Sequence, residues 1–244
     1  MCSSDLHVPF CRTKCRYCGF YSHGRPASSV LNRFLAKLQE ELAVVSHWRR
    51  RPFETAFIGG GNPGMLSFDG LLSIVDAVCE SGRPGELTIE MNPESLTDGM
   101  QACFERGGTR LSMGVQSMDE HSLAVLGRNA TLGQTKDALR LVKSMRSATG
   151  FDLNVDVMTC IPGQSLAEAV SDIDRIVDFI NPEHLSVYCL TVEEGTPLAA
   201  DVAAGRVCEM ETDRQADMLF EIWHHLASLG YDHYEVSNFA RRDQ

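Results

Sequence analysis

The stretch ETAFIGGGNPGMLSFDGLLSIVDAVCESGRPGELTIEMNP, residues 54–93, reads as strand, helix, strand. Ala56, Phe57 and Ile58 form a short apolar run that ends in three glycines, Gly59 to Gly61. Leu71, Leu72, Val75 and Val78 then fall on one side of a helix expected near 67–80. Leu87 and Ile89 alternate with polar neighbours, as in a strand. A strand, a crossover helix and a second strand imply parallel pairing with right-handed connection.

The pattern continues outward. Upstream, SSVLNRFLAKLQEELAVVSHW places Leu31, Phe34, Leu35, Leu38, Leu42 and Val45 on one apolar stripe. Downstream, SLTDGMQACFERGG is a short helix stopped by Gly107 and Gly108. TRLSMGVQS, FDLNVDVMTCIPGQ and EHLSVYCLTV read as strands. Helices are expected over 132–148, from the Ser165/Glu168 capping box to Asn181, and over 209–229. That makes about five strands, plus whatever Leu6–Val8 belongs to. Eight βα units need ~250 residues. The expected fold is therefore α/β with parallel strands and outer helices, either a barrel of fewer strands or an open sheet. No linker or low-complexity segment marks a boundary, so residues 1–244 are expected to be one domain.

Charge narrows the function classes. With 33 acidic and 22 basic residues the formal net charge is −11, which gives no overall attraction to nucleic acid or anionic membrane. No apolar run approaches the roughly 20 residues of a membrane span, and MCSSDLHVPF is not a signal peptide. A cytoplasmic location is expected. There most of the scattered Cys2, Cys79, Cys103, Cys160, Cys189 and Cys208 are expected to be buried free thiols rather than disulfides.

In parallel α/β folds, ligands bind at the carboxyl ends of strands. Polar groups interrupt the strands at such places: Gly59–Asn62, Glu90, Gln116, Asp156, and Tyr188 with Cys189. One such group only marks where a strand meets water. A whole series suggests a binding rim. The glycine run lacks the lysine and spacing of a phosphate loop, so it reads as a backbone cradle for a small polar ligand.

HVPFCRTKCRYCGF, residues 7–20, places Cys11, Cys15 and Cys18 as C-x3-C-x2-C. Zinc could close such a set with His7 or His23. An iron–sulfur cluster on three thiolates would instead leave one iron open for chemistry.

C-x3-C-x2-C with Tyr17 before the third cysteine resembles the radical S-adenosylmethionine (SAM) superfamily. The resemblance implies a [4Fe–4S] cluster on Cys11, Cys15 and Cys18. It implies SAM on the open iron, cleaved by one electron to a 5′-deoxyadenosyl radical. HVPFC, GGGNP, EMNPESL, RLSMGVQSMDEHSLAVLGR, NVDVMTCIPGQS, HLSVYCLTVEEGT and YEVSNFA are similar, in the same order, to the oxygen-independent coproporphyrinogen III oxidase group. That similarity implies a partial (β/α)6 barrel. It implies a SAM pocket lined by Tyr17, Gly60, Gly61, Asn62, Glu90, Gln116, Arg128 and Asp156. Asn62 stands where the group usually has threonine. Arg128 is equally readable as a solvated arginine at a helix end.

The dehydrogenases of the group carry a further cysteine two positions after the third; here it is Phe20. CGFYSH resembles the HemW-type branch instead. That resemblance implies a haem chaperone with haem or porphyrin as ligand, a haem-acceptor protein as partner and a flavodoxin-type electron donor. The alternatives are a coproporphyrinogen III dehydrogenase and a structural zinc protein. Two departures from the group shape expectations. A tyrosine in an aromatic first strand is replaced by Asp5, so MCSSDL reads as a poor, non-native strand. Relatives of the group continue past NFARRDQ with a haem-binding segment and a helical domain, which this chain is expected to lack.

Overall fold

The computed structural model describes residues 3–48 and 51–242. The chain forms two compact units: one from residues up to Lys14, Phe20–Ser112 and Leu141–Asp152, the other from Cys15–Gly19, Met113–Arg140 and Leu153 onward.

The first unit is built from β1 (Ser3–Val8), β2 (Phe10–Cys11), β3 (His23–Gly24), α1 (Ser28–Trp48), β4 (Thr55–Gly60), α2 (Phe68–Cys79), β5 (Glu86–Met91), α3 (Gln101–Arg106) and the start of β6 (Arg110–Gln116). β1, β4 and β5 pair in parallel, with Ser3 opposite Thr55, Val8 opposite Gly60, and Thr55 opposite Glu86. The expectation that the first residues make a poor strand is overturned: β1 runs the whole length of β4. Leu6 and Val8 turn into the core, and a full ladder overrides the weak strand preference of Ser3, Ser4 and Asp5. Cys2 lies outside the described residues.

In α2 the fully buried positions are Leu71, Ile74, Val75 and Val78, at the i, i+3, i+4, i+7 spacing. Each such burial is worth about 1.5–3 kcal/mol against exposure. Leu72, expected on that face, is only half-buried, and Ile74 takes its place. In α1, Leu42 is buried but Val45 is exposed, so the stripe ends one turn early. Phe104 stacks on Phe151 at 4.0 Å to complete this core.

The second unit contains the end of β6, α4 (Glu120–Leu126), the first half of α5 (Leu132–Thr149), β7 (Asp152–Thr159) from Leu153, α6 (Leu166–Ile180), β8 (His184–Cys189), α7 (Pro197–Ala203), α8 (Thr212–Ser228), β9 (Tyr231–Glu235) and β10 (Asn238–Arg241). β7 and β8 are parallel, with Asn154 opposite His184 and Thr159 opposite Cys189. The capping box opens α6 as expected, with Ser165 and Glu168 bonding each other's backbone. The antiparallel β10 then lies on β8, and β9 on β10.

The fold is thus α/β with mostly parallel strands flanked by helices, and the strands close on themselves in neither unit. α4, α7 and the β9–β10 hairpin were not anticipated. The two helices are only seven residues each, too short for a clear period.

Candidate radical chemistry site

In the first unit, the base of the cysteine loop is closed by backbone. β2 pairs with β3, placing Cys11 opposite Gly24, and Arg25 N–H donates to the Cys11 carbonyl at 3.0 Å. Phe10 meets Phe34 edge-on at 5.1 Å. His7 and His23, the expected zinc partners, both engage Tyr21: His7 Nε2 lies 3.0 Å from its carbonyl and His23 Nε2 3.2 Å from its hydroxyl. Among the described residues, no set of three or more His, Cys, Asp or Glu is gathered to hold a single metal ion.

The glycine run is shaped by the chain itself. A Cβ on Gly59 would meet Glu90 Oε2 at 2.4 Å, on Gly60 His7 Nδ1 at 2.5 Å, and on Gly61 the Phe10 carbonyl oxygen at 2.7 Å. Gly60 also sits at φ 113°, where only glycine is comfortable. Gly60 N–H donates to Glu90 Oε2 at 2.9 Å, and Gly61 N–H to the Val8 carbonyl at 2.9 Å. The glycines therefore let β2, His7 and Glu90 press against the end of β4. Next to them, Asn62 is 2% exposed. Its Oδ1 accepts from Gly64 N–H and Ser95 Oγ, both at 3.1 Å. Its Nδ2 is buried with no hydrogen-bond partner.

In the second unit, Cys15 and Cys18 lie in a turn, with Cys18 N–H donating to the Cys15 carbonyl at 3.3 Å. Arg16 fastens this turn. Its N–H donates to the Leu126 carbonyl, its carbonyl accepts from Leu198 N–H, and its guanidinium pairs with Asp201. Gly127 ends α4 at φ 65°, and a Cβ there would strike the Arg16 side chain at 2.5 Å. Tyr17 packs on Leu126, Met158, Ile161, Leu190 and Leu198. Burial pushes its phenol well above the usual range, and Cys15, Cys18 and Asp156 push it further, against the pull of Arg128. Tyr17 is thus a neutral phenol that shares one electrostatic neighbourhood with four other expected residues. Arg128 is not merely a solvated helix end. Its Nη1 donates to Cys15 Sγ at 3.4 Å and its Nη2 to the Gly114 carbonyl at 2.5 Å.

Gln116 ends β6 at φ 71°, in the left-handed region that costs an L residue about 1–2 kcal/mol. It is 8% exposed, and its Oε1 is buried with no hydrogen-bond partner. A buried unpaired polar group costs about 1–3 kcal/mol. Backbone strain and an orphaned acceptor thus coincide at this one residue.

Asp156 lies inside β7. Its Oδ1 accepts from Asn154 Nδ2 at 2.8 Å. Asn154 Oδ1 in turn accepts from Ser186 Oγ at 3.1 Å and from His184 Nδ1 at 2.6 Å. His184 Nε2 lies 2.7 Å from the Tyr234 hydroxyl. Sequence reasoning missed Asn154, His184 and Ser186. The signal was available: polar residues at a period of two inside buried strands, paired as Asn154–His184 and Asp156–Ser186.

The comparisons with known proteins give the family. The family described as the radical SAM superfamily matches residues 6–176, more than half of the chain. The chain belongs to the radical SAM superfamily. Within the superfamily its sequence is similar to HemW proteins and its fold to that of HemN. It is 33% identical over 97% of its length to a protein named heme chaperone HemW from Escherichia coli. It is 32% identical over 97% to the mitochondrial radical S-adenosyl methionine domain-containing protein 1 of Mus musculus. The chain spans 62% of the first relative and 53% of the second. Among solved radical SAM structures, the coproporphyrinogen III oxidase HemN of Escherichia coli superposes with a TM-score of 0.85 at 22% identity, over 99% of this chain and 56% of that one.

Membership implies a [4Fe–4S] cluster and SAM, and the residues present fit both. The cysteines are free thiols, with a guanidinium on one of them. In the first unit Asn62 offers a buried donor, and in the second Gln116 offers a buried acceptor. No helix among the described residues is long and apolar enough to cross a membrane.

Proposed function

We propose that this radical SAM protein is a haem chaperone of the HemW type. It holds a [4Fe–4S] cluster on Cys11, Cys15 and Cys18, and SAM against Tyr17, Gly60, Gly61, Asn62, Glu90, Gln116, Arg128 and Asp156. When bound, the cluster supplies one-electron chemistry to SAM. The chain's own part is preparation. Arg128 donates an N–H to Cys15 Sγ and so holds that sulfur in place within the turn. Glu90 spends one carboxylate oxygen on Gly60 N–H, fixing the glycine turn beside Asn62. Tyr17 stays protonated and seals the turn from water with its ring. Asn154 and His184 orient Asp156.

The observation that carries the cluster assignment is the Arg128 contact to Cys15, in a neighbourhood that also holds Tyr17, Cys18 and Asp156. The chaperone reading rests on relatives named as heme chaperones and on Phe20. Phe20 is 74% exposed and stands where the dehydrogenases of the group have a further cysteine. Haem is the proposed cargo, an acceptor protein the partner and a flavodoxin-type protein the electron donor. The cytoplasm is the proposed compartment.

The test is anaerobic reconstitution of the full-length protein, followed by assay with coproporphyrinogen III, SAM and a reductant. The expected result is ~4 Fe per chain, haem binding and transfer to an apo-acceptor, and no porphyrinogen product. Formation of protoporphyrinogen would replace the chaperone reading with the dehydrogenase one.

A further inference from the structure

β7 and β8 end side by side on two thiols that the site above does not use. Thr159 is the register partner of Cys189, and Cys160 follows Thr159 directly. Cys160 holds φ 59°, the left-handed region, so the chain turns sharply there and carries strain. Both sulfurs converge on one turn of α8. Cys160 Sγ is 3.9 Å from the Gln215 carbonyl oxygen and 3.8 Å from Met218 Sδ. Cys189 Sγ is 3.7 Å from Gln215 Oε1. Each thiol lies in the other's electrostatic neighbourhood. Their exposures differ: Cys160 is 2% exposed, whereas Cys189 is partly open to solvent.

We propose that Cys160 and Cys189 form a modification site, a dithiol that closes to a disulfide by exchange with a small-molecule disulfide of the glutathione type. The thiols are inequivalent in the way exchange requires. The neighbouring Cys160 thiol holds Cys189 below the usual thiol range. The Cys189 thiol, with burial, pushes Cys160 far above it. Cys189 is therefore the attacking thiolate. It bonds to one sulfur of the small disulfide and expels the other half as a thiolate. Cys160 then loses its proton to that released thiolate and attacks Cys189 Sγ. The S–S bond to the small molecule breaks, and a second small thiol leaves. In sum, two protein thiols are oxidised and one small disulfide is reduced to two thiols. The closed form ties β8 to the end of β7, the strand that carries Asp156.

The experiment uses the full-length protein, equilibrated anaerobically in buffers of reduced and oxidised glutathione. Acid quench, alkylation of remaining thiols and non-reducing peptide mapping follow. The expected result is a Cys160–Cys189 linked peptide, short of two hydrogens, whose share grows with oxidised glutathione. Cys160→Ser should trap Cys189 as its glutathione mixed disulfide. Cys189→Ser should abolish the linked peptide and leave Cys160 unmodified. Limited alkylation of the unmutated reduced protein should label Cys189 before Cys160, a reading independent of how the variants fold. The proposal is overturned if both cysteines are recovered alkylated in every buffer, or if Cys160 is glutathionylated as fast in Cys189→Ser as in the unmutated protein.

Discussion

Gln116 and Glu90 spend stability in different ways. Gln116 holds a strained backbone and a buried acceptor with no partner. Gln116→Gly should therefore relieve strain and raise unfolding free energy by about 1 kcal/mol, while weakening SAM binding. Urea unfolding and SAM titration by calorimetry together check this, and a loss of stability would show that the side chain is structural. Glu90 has already committed one oxygen to Gly60 N–H, so Glu90→Gln can keep the turn yet loses the charge. SAM affinity should fall about tenfold, in line with a charge-assisted bond made neutral; unchanged affinity would remove Glu90 from the pocket. Arg128→Met should leave the turn folded but lower iron retention at neutral pH, read by iron content after desalting.

At the scale of elements, the close approach of β2 to the end of β4 is the most demanding feature. Gly61→Ala would set a methyl 2.7 Å from the Phe10 carbonyl oxygen, which is backbone and cannot swing away. The cost should be about 1–3 kcal/mol in chemical unfolding. Ser165→Ala, which breaks one half of the α6 capping box, should cost about 1 kcal/mol. Elements with a strong period were legible in the sequence: the 54–93 unit, α6 with its box, and β7 and β8. Others were not, for physical reasons. β1 is held by its ladder and not by its residues. α4 and α7 are shorter than a period can show. β9 exposes nearly all its side chains, so it has no apolar alternation to read.

For the whole molecule, two buried or capping carboxylates give opposite pH slopes. Asp172 accepts from Ser117 Oγ and Met118 N–H and is held above the usual carboxylate range, chiefly by burial. The folded state therefore binds its proton more tightly than the unfolded chain does. That stability is full below an unfolded pKa of about 3.9 and is lost as pH rises through the folded pKa. Asp172→Asn should gain stability relative to the unmutated protein as pH is raised from about 4 to about 7. Thermal unfolding at both pH values checks the sign. Asp119, the N-cap of α4, is held low chiefly by Ser122 N–H, so its contribution is present above its unfolded pKa and fades as pH falls. The candidate site was legible as residue types in series: the cysteine spacing, Asn62, Glu90, Gln116 and Asp156. What escaped was support. Arg128 on Cys15 depends on how two turns meet, and Asn154 and His184 behind Asp156 on strand register, neither of which spacing alone reveals.

The fastening of Arg16 has a consequence for biosynthesis. Its carbonyl is satisfied by Leu198 N–H, 182 residues further along (198 − 16). At 5–20 residues per second that separation is roughly 10–40 s of translation. The cysteines emerge early, but the turn that carries two of them is complete only when α7 has left the ribosome. Stalled nascent chains released before Leu198 should therefore leave Cys15 and Cys18 fully open to alkylation, and chains released beyond α7 should protect them. Iron delivery would then meet a finished domain and not a growing chain.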